Sequence, residues 1–134
     1  MMLLYSDAYV QIRLHENGYR AALEVTWLNR CSGEELQQAS VHAAMLARRH
    51  HVNAWIANDQ SIGKLNVADL YWADQMLESM HRDLGLDRFA LLLSDLAPNR
   101  EQFRPYLAKY SKPHLLLELG LFDDVAQARE WALD

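Results

Sequence analysis

Phe89-Ala90-Leu91-Leu92-Leu93 is an unbroken apolar run with no polar position to turn toward water. Trp55-Ile56-Ala57 and Leu115-Leu116-Leu117 repeat the pattern on either side of it in the chain. Short runs of this kind fit strands covered on both faces, the usual condition of a parallel sheet. Further upstream the pattern changes. Val10-Gln11-Ile12-Arg13-Leu14-His15 and Leu23-Glu24-Val25-Thr26-Trp27 alternate apolar and polar residues, so each has one wet face. The chain therefore reads as a mixed α/β sheet. It is entered through antiparallel strands and continued by alternating helix–strand units.

The punctuation between the strands agrees. Leu3-Leu4-Tyr5 is a short opening strand, and Glu16-Asn17-Gly18 marks a hairpin between strands of about Tyr9–His15 and Arg20–Trp27. Ser32 and Glu35 have capping-box spacing, which predicts a helix from Gly33 to about His50. A strand is expected over Val52–Ala57, then a polar loop from Asn58 to Leu65. Asn66 and Asp69 then cap a helix of about Val67–Leu84. Leu70, Ala73, Met76, Leu77, Met80 and Leu84 form its apolar stripe, Asp74 falls on the opposite face, and Gly85 supplies the stop. After a strand over Phe89–Ser94, Pro105 should break any long helix, so a turn and a short helix from about Gln102 or Arg104 to Tyr110 are expected. The last strand is placed at Leu115–Leu119. Asp123 or Asp124 then caps a closing helix that ends near Trp131 to Leu133.

The 134 residues fit one domain of common size, read as a single unit over residues 1–134. A formal charge of −5 with scattered Lys and Arg argues against a nucleic-acid partner. The single Cys31 cannot form an internal disulfide, which suits a reducing cytoplasm. No stretch reaches the ~18 apolar residues that a membrane helix needs. Met1–Tyr5 lacks a basic start and is too short for a secretory signal, so it reads as a strand.

Several segments, taken in order, resemble the SpoIIAA-like family within the wider group of STAS domains, above all its short single-domain bacterial members. They are Leu4-Tyr5, then Leu23–Trp27 ahead of Gly33-Glu34-Glu35, and Asn58-Asp59 at the end of a strand. Trp72 and the terminal Phe122–Trp131 segment complete the set. The resemblance implies a four- or five-stranded mixed sheet with helices mainly on one face. It also implies a non-enzymatic, regulatory or protein-interaction role in the bacterial cytoplasm, of the partner-switching kind, with a protein partner or a second copy as in a homodimer. Relatives switch partners when a serine after a strand is phosphorylated, and the nearest counterpart here is Ser61. The family motif has a serine pair before a glycine at the helix start. This chain has one serine well before its cap.

The candidate site residues follow from both lines of reading. Asp59 and Ser61 form a candidate phospho-acceptor or partner loop. A phosphate on Ser61 would add about two negative charges near a helix N-terminus. Asp59 can bind a cation or orient a partner, or simply close a turn. Tyr71 and Trp72 flank the stripe of the second long helix and are candidates for a partner or ligand surface. The alternative function is binding or sensing of a small hydrophobic, lipid-like ligand. That requires a cavity of several hundred cubic ångströms, as is usual for ligand pockets, near Tyr71, Trp72, Met76 and Met80. No catalytic residue, metal or cofactor is expected. The histidines lack metal-ligand spacing, no serine stands in a nucleophile-elbow motif, and phosphate-binding glycine loops are missing.

Overall fold

The computed structural model describes residues 1–110 and 116–134. Its elements are β1 (Met2–Ser6), β2 (Val10–Glu16), β3 (Ala21–Trp27), α1 (Gly33–Arg49), β4 (Ala54–Asn58), α2 (Val67–Leu84), β5 (Arg88–Leu92), α3 (Ala97–Tyr110), β6 (Glu118–Phe122) and α4 (Val125–Leu133). Among the described residues six strands form one sheet in simple sequence order. β1, β2 and β3 are antiparallel to one another, and β3 to β6 run parallel. β2 alternates and has only antiparallel neighbours, β4 and β5 are continuously apolar and have only parallel ones, and β3, which alternates, is the strand where the pairing changes. The resemblance implied four or five strands; six are present.

The strand order never reverses. Crossovers of one hand that always step the same way leave their helices on the same side of the sheet. α1, α2 and α3 accordingly pack on one face, over Ile12, Leu23, Val25, Trp27, Trp55 and Leu91. α4 follows the last strand and folds under the other face. There Ala128 and Ala132 lie against Ala22, Ala54, Ile56, Ala90 and Leu92. Small side chains on both sides let this short helix approach closely and dry the apolar part of that face. Among the described residues both faces of the central strands β3, β4 and β5 are covered, while Leu3 of β1 and Leu121 of β6 remain exposed at the edges.

Behind α4 lies a buried charge cluster. Glu24 is 1 % exposed and accepts hydrogen bonds from Arg129 Nε at 2.6 Å and Nη2 at 2.9 Å, with His15 Nε2 at 3.0 Å. Burial alone would raise this carboxyl. The bonds and charges of Arg129 and His15 outweigh it and hold Glu24 at about 2.

Four local expectations are corrected. Ser32 is the N-cap of α1, but its side chain makes no capping bond. Instead Asp69, from α2, accepts the Gly33 N–H at 2.9 Å, so a tertiary contact replaces the local box. α3 is continuous from Ala97 to Tyr110 with Pro105 inside it. Pro105 and Glu101 are exposed, so the carbonyl that proline frees can turn to water. Asp74 is not on a wet face: it is buried and takes bonds from Lys109 and the Tyr110 hydroxyl of α3. The last strand is Glu118–Phe122, later than expected; Leu116 and Leu117 precede it, and Leu115, like Ser111 and His114, lies outside the described residues. Its register is set by pairing with β5, from Arg88↔Glu118 to Leu92↔Phe122. Gly120 then lies under two rings, where a Cβ would come 2.7 Å from Phe122 and 3.1 Å from Trp131.

Candidate functional site

The parallel strands β3, β4 and β5 end at the same edge of the sheet, where the chain turns into α1, the 59–66 loop and α2. An apolar cavity of about 110 Å³ lies between this end of the sheet and the helices above it. Its wall includes Trp27, Trp55, Trp72, Met76, Met80 and Phe103. A second apolar crevice of about 60 Å³ adjoins it under α3 and shares Leu70, Leu77, Phe89 and Phe103. Open parallel sheets commonly bind ligands beyond the carboxyl ends of their strands.

Two carboxyl groups stand in this greasy wall, Asp59 and Asp69. Asp59 follows β4 directly. Its backbone N–H donates to the Leu92 carbonyl, which ties it to the end of β5, and its own carbonyl accepts from Ile62. The side chain is 8 % exposed, and burial alone pushes its carboxyl up to about 7. Asp69 is 3 % exposed. Its N–H is capped by Asn66, and Oδ1 bonds Gly33 N–H at the start of α1. Its Oδ2 has no hydrogen-bond partner among the described residues.

The loop that carries Asp59 is fixed by a buried asparagine. Asn99 of α3 is fully buried; Oδ1 accepts the Leu65 N–H at 2.8 Å and Nδ2 donates to the Gly63 carbonyl at 2.6 Å. Gly63 has φ +84°, and a Cβ there would stand 3.0 Å from the Arg30 side chain. Only glycine suits that turn.

The residues singled out in the sequence separate in space. Asp59 and Trp72 join the cavity wall. Tyr71 is 61 % exposed on the outer side of α2 and takes no part in the cavity. Ser61 lies in an exposed turn, and its hydroxyl bonds no described residue. In the sequence Asp69 stands out only as a helix cap, and Trp27 and Trp55 only as strand residues. One signal for Asp69 was available: it sits one turn before Ala73 and two before Met76, on the apolar stripe. Cys31 is buried, and burial followed by the nearby Glu35, Asp7 and Asp69 carboxylates pushes its thiol up to about 11, so it is not a nucleophile at neutral pH. Among the described residues no three His, Cys, Asp or Glu side chains converge on a point that could hold a metal ion, and no helix is long and apolar enough to cross a membrane.

An uncharacterized protein of the DUF3478 family from Shewanella loihica PV-4, described as having a SpoIIAA-like fold, superimposes on this chain with a TM-score of 0.60. The match covers 96 % of this chain and 98 % of that one. The chain has a SpoIIAA-like fold. Sequence identity across the match is 15 %, so the likeness is one of fold. No protein-family model matches the chain, and no curated protein matches it. In this SpoIIAA-like domain the cavity sits beneath the loop between β4 and α2, the loop on which the resemblance placed Ser61.

Proposed function

We propose that this SpoIIAA-like domain is a non-enzymatic regulatory module that binds a small, largely apolar molecule in the cavity beneath the 59–66 loop. The observation that carries this reading is the Asp59 carboxyl, buried in an aromatic wall with no described side chain bonded to it. A fold keeps such a group at a cost of several kcal/mol, and groups of this kind cluster at functional sites. The volume limits the guest. An apolar cavity of about 150 Å³ holds benzene, so a space of about 110 Å³ takes a molecule no larger than that, well short of a lipid chain. The wall supplies packing, two carboxyl groups and the Ser40 hydroxyl, a combination suited to recognition.

The tryptophans provide the test. Trp27, Trp55 and Trp72 line the cavity, whereas Trp131 lies on the opposite face of the sheet against Phe122. In ¹⁵N-labelled protein titrated with isobutanol or benzene, the first three indole N–H signals should shift saturably and that of Trp131 should stay in place. Ala73→Leu, which adds bulk at the cavity wall on α2, should abolish the shifts. Uniform movement of all four indoles, or saturable shifts that survive in Ala73→Leu, would remove the cavity as a binding site.

A second reading, protein-partner binding by the same loop, draws on Ser61, whose exposed hydroxyl is open to a kinase. The bound partners of wild type and Ser61→Asp, recovered from the native cell, should then differ. Identical sets would count against switching by phosphorylation.

A further inference from the structure

We propose that the cavity recognises a small organic cation, an alkylammonium, which pairs its nitrogen with the Asp59 and Asp69 carboxyls and packs its apolar body against Trp27, Trp55 and Trp72. This rests on the cavity being a binding site and specifies the charge of what binds there.

The buried carboxyl groups of this chain divide into two kinds. The described residues bury four: Glu24, Asp59, Asp69 and Asp74. Glu24 is paired with Arg129 and His15, and Asp74 with Lys109 and the Tyr110 hydroxyl. Asp59 and Asp69 have no Lys, Arg or His partner among the described residues, and these two share one cavity. Burying a carboxylate without a cation is costly, so evolution normally supplies one from the chain. Here the chain supplies it to two of the four, and the other two belong to the lining of one cavity. The unbonded Oδ2 of Asp69 marks the same deficit at the level of one atom.

The rest of the wall has the matching character. Among the described residues it contains no Lys, Arg or His, so an anion would meet two carboxyls and none of their cations. Five aromatic rings line it, from Trp27, Trp55, Trp72, Phe89 and Phe103. The faces of such rings attract cations, tryptophan most strongly, and the attraction grows when the cation is desolvated. A neutral acceptor can take a hydrogen bond from Asp59 only while that carboxyl is protonated, and it offers nothing to the unbonded Oδ2 of Asp69. An ammonium can donate to both and stack on the rings, and the cavity volume holds its substituent to about the size of an isobutyl group.

The experiment uses isobutylammonium, its neutral isostere isobutanol and the anion isobutyrate, each titrated into the full chain and followed by the indole signals of Trp27, Trp55 and Trp72. The expected order is isobutylammonium tighter than isobutanol by about tenfold or more, equivalent to about 1.4 kcal/mol, with no binding of isobutyrate. Asp59→Asn and Asp69→Asn should each weaken isobutylammonium by about tenfold and move isobutanol by less than about threefold. Asn at position 69 keeps the Oδ1 acceptor for Gly33, so the start of α1 is retained. Equal affinity for isobutanol and isobutylammonium, or binding of isobutyrate, overturns the cationic assignment and leaves the cavity standing. Failure of all three probes to shift the indoles removes the cavity along with it.

Discussion

Asp59→Asn should change the pH dependence of folding by an amount that follows from burial. In the unfolded chain the carboxyl titrates at 3.8; in the folded chain burial pushes it up to about 7. Between those values the folded state holds the proton and the unfolded state does not. Stability therefore falls as pH rises through this window and is level on either side of it. Each pH unit is worth about 1.4 kcal/mol, so the full penalty is about 4 kcal/mol once pH passes 7. From pH 5 to pH 8 the loss is about 3 kcal/mol. Asparagine cannot ionise and carries no such slope. Urea unfolding of both proteins, followed by tryptophan fluorescence at pH 5 and pH 8, measures the difference directly. The six histidines are common to both and cancel in the comparison. The variant should gain about 3 kcal/mol on wild type between the two pH values. A gap between wild type and variant that is the same at both would refute the claim that Asp59 is buried without a charge partner.

Three further outcomes are expected. Arg129→Met leaves Glu24 buried with only His15 and the Thr26 hydroxyl as partners and should cost about 3–5 kcal/mol by chemical denaturation; because Glu24 is lowered from 4.5 to about 2, its contribution is complete above 4.5 and is lost as pH falls toward 2, so the variant should unfold at higher pH than wild type in an acid titration followed by circular dichroism. Gly120→Ala drives a Cβ into the Phe122 and Trp131 rings and should destabilise by about 1–3 kcal/mol, read as a lowered Tm. Asn99→Ala strands the Leu65 N–H and the Gly63 carbonyl, should cost about 2–4 kcal/mol, and should speed amide exchange at Leu65 more than in α4; equal protection in wild type and variant would mean that the loop does not depend on Asn99.

Residue order alone carried the architecture a long way. Continuous apolar segments such as Phe89–Leu93 fit strands with cover on both sides, and β4 and β5 are parallel and roofed by helices on one face and α4 on the other, whereas the Leu116-Leu117 part of the third run precedes its strand. Caps written with local residues were also legible: Asn66 bonds the Asp69 N–H, Gly85 ends α2 at φ +70°, and Asp124 caps α4. Elements read from one residue's local preference fared less well. Pro105 lies inside α3 because that turn faces water, and β6 starts at Glu118 because β5 sets its register.

The candidate site shows the limit more sharply. Asp59 and Trp72 could be singled out from their places beside a strand end and an apolar stripe. The sequence places Asp69 on the apolar stripe of α2 and Asp74 opposite it, but nothing in the string of letters says that both are buried and that only Asp74 meets a cation. What separates them is Lys109 and Tyr110, brought to Asp74 by the α2–α3 contact. Glu24 likewise meets Arg129 across 105 positions of chain. Periodicity and capping act between residues a few positions apart, so they are written into the sequence and fix strands, helices and their faces. The state of a buried charge depends on which distant side chain the completed fold delivers to it, and for Asp59 and Asp69 the fold delivers none among the described residues.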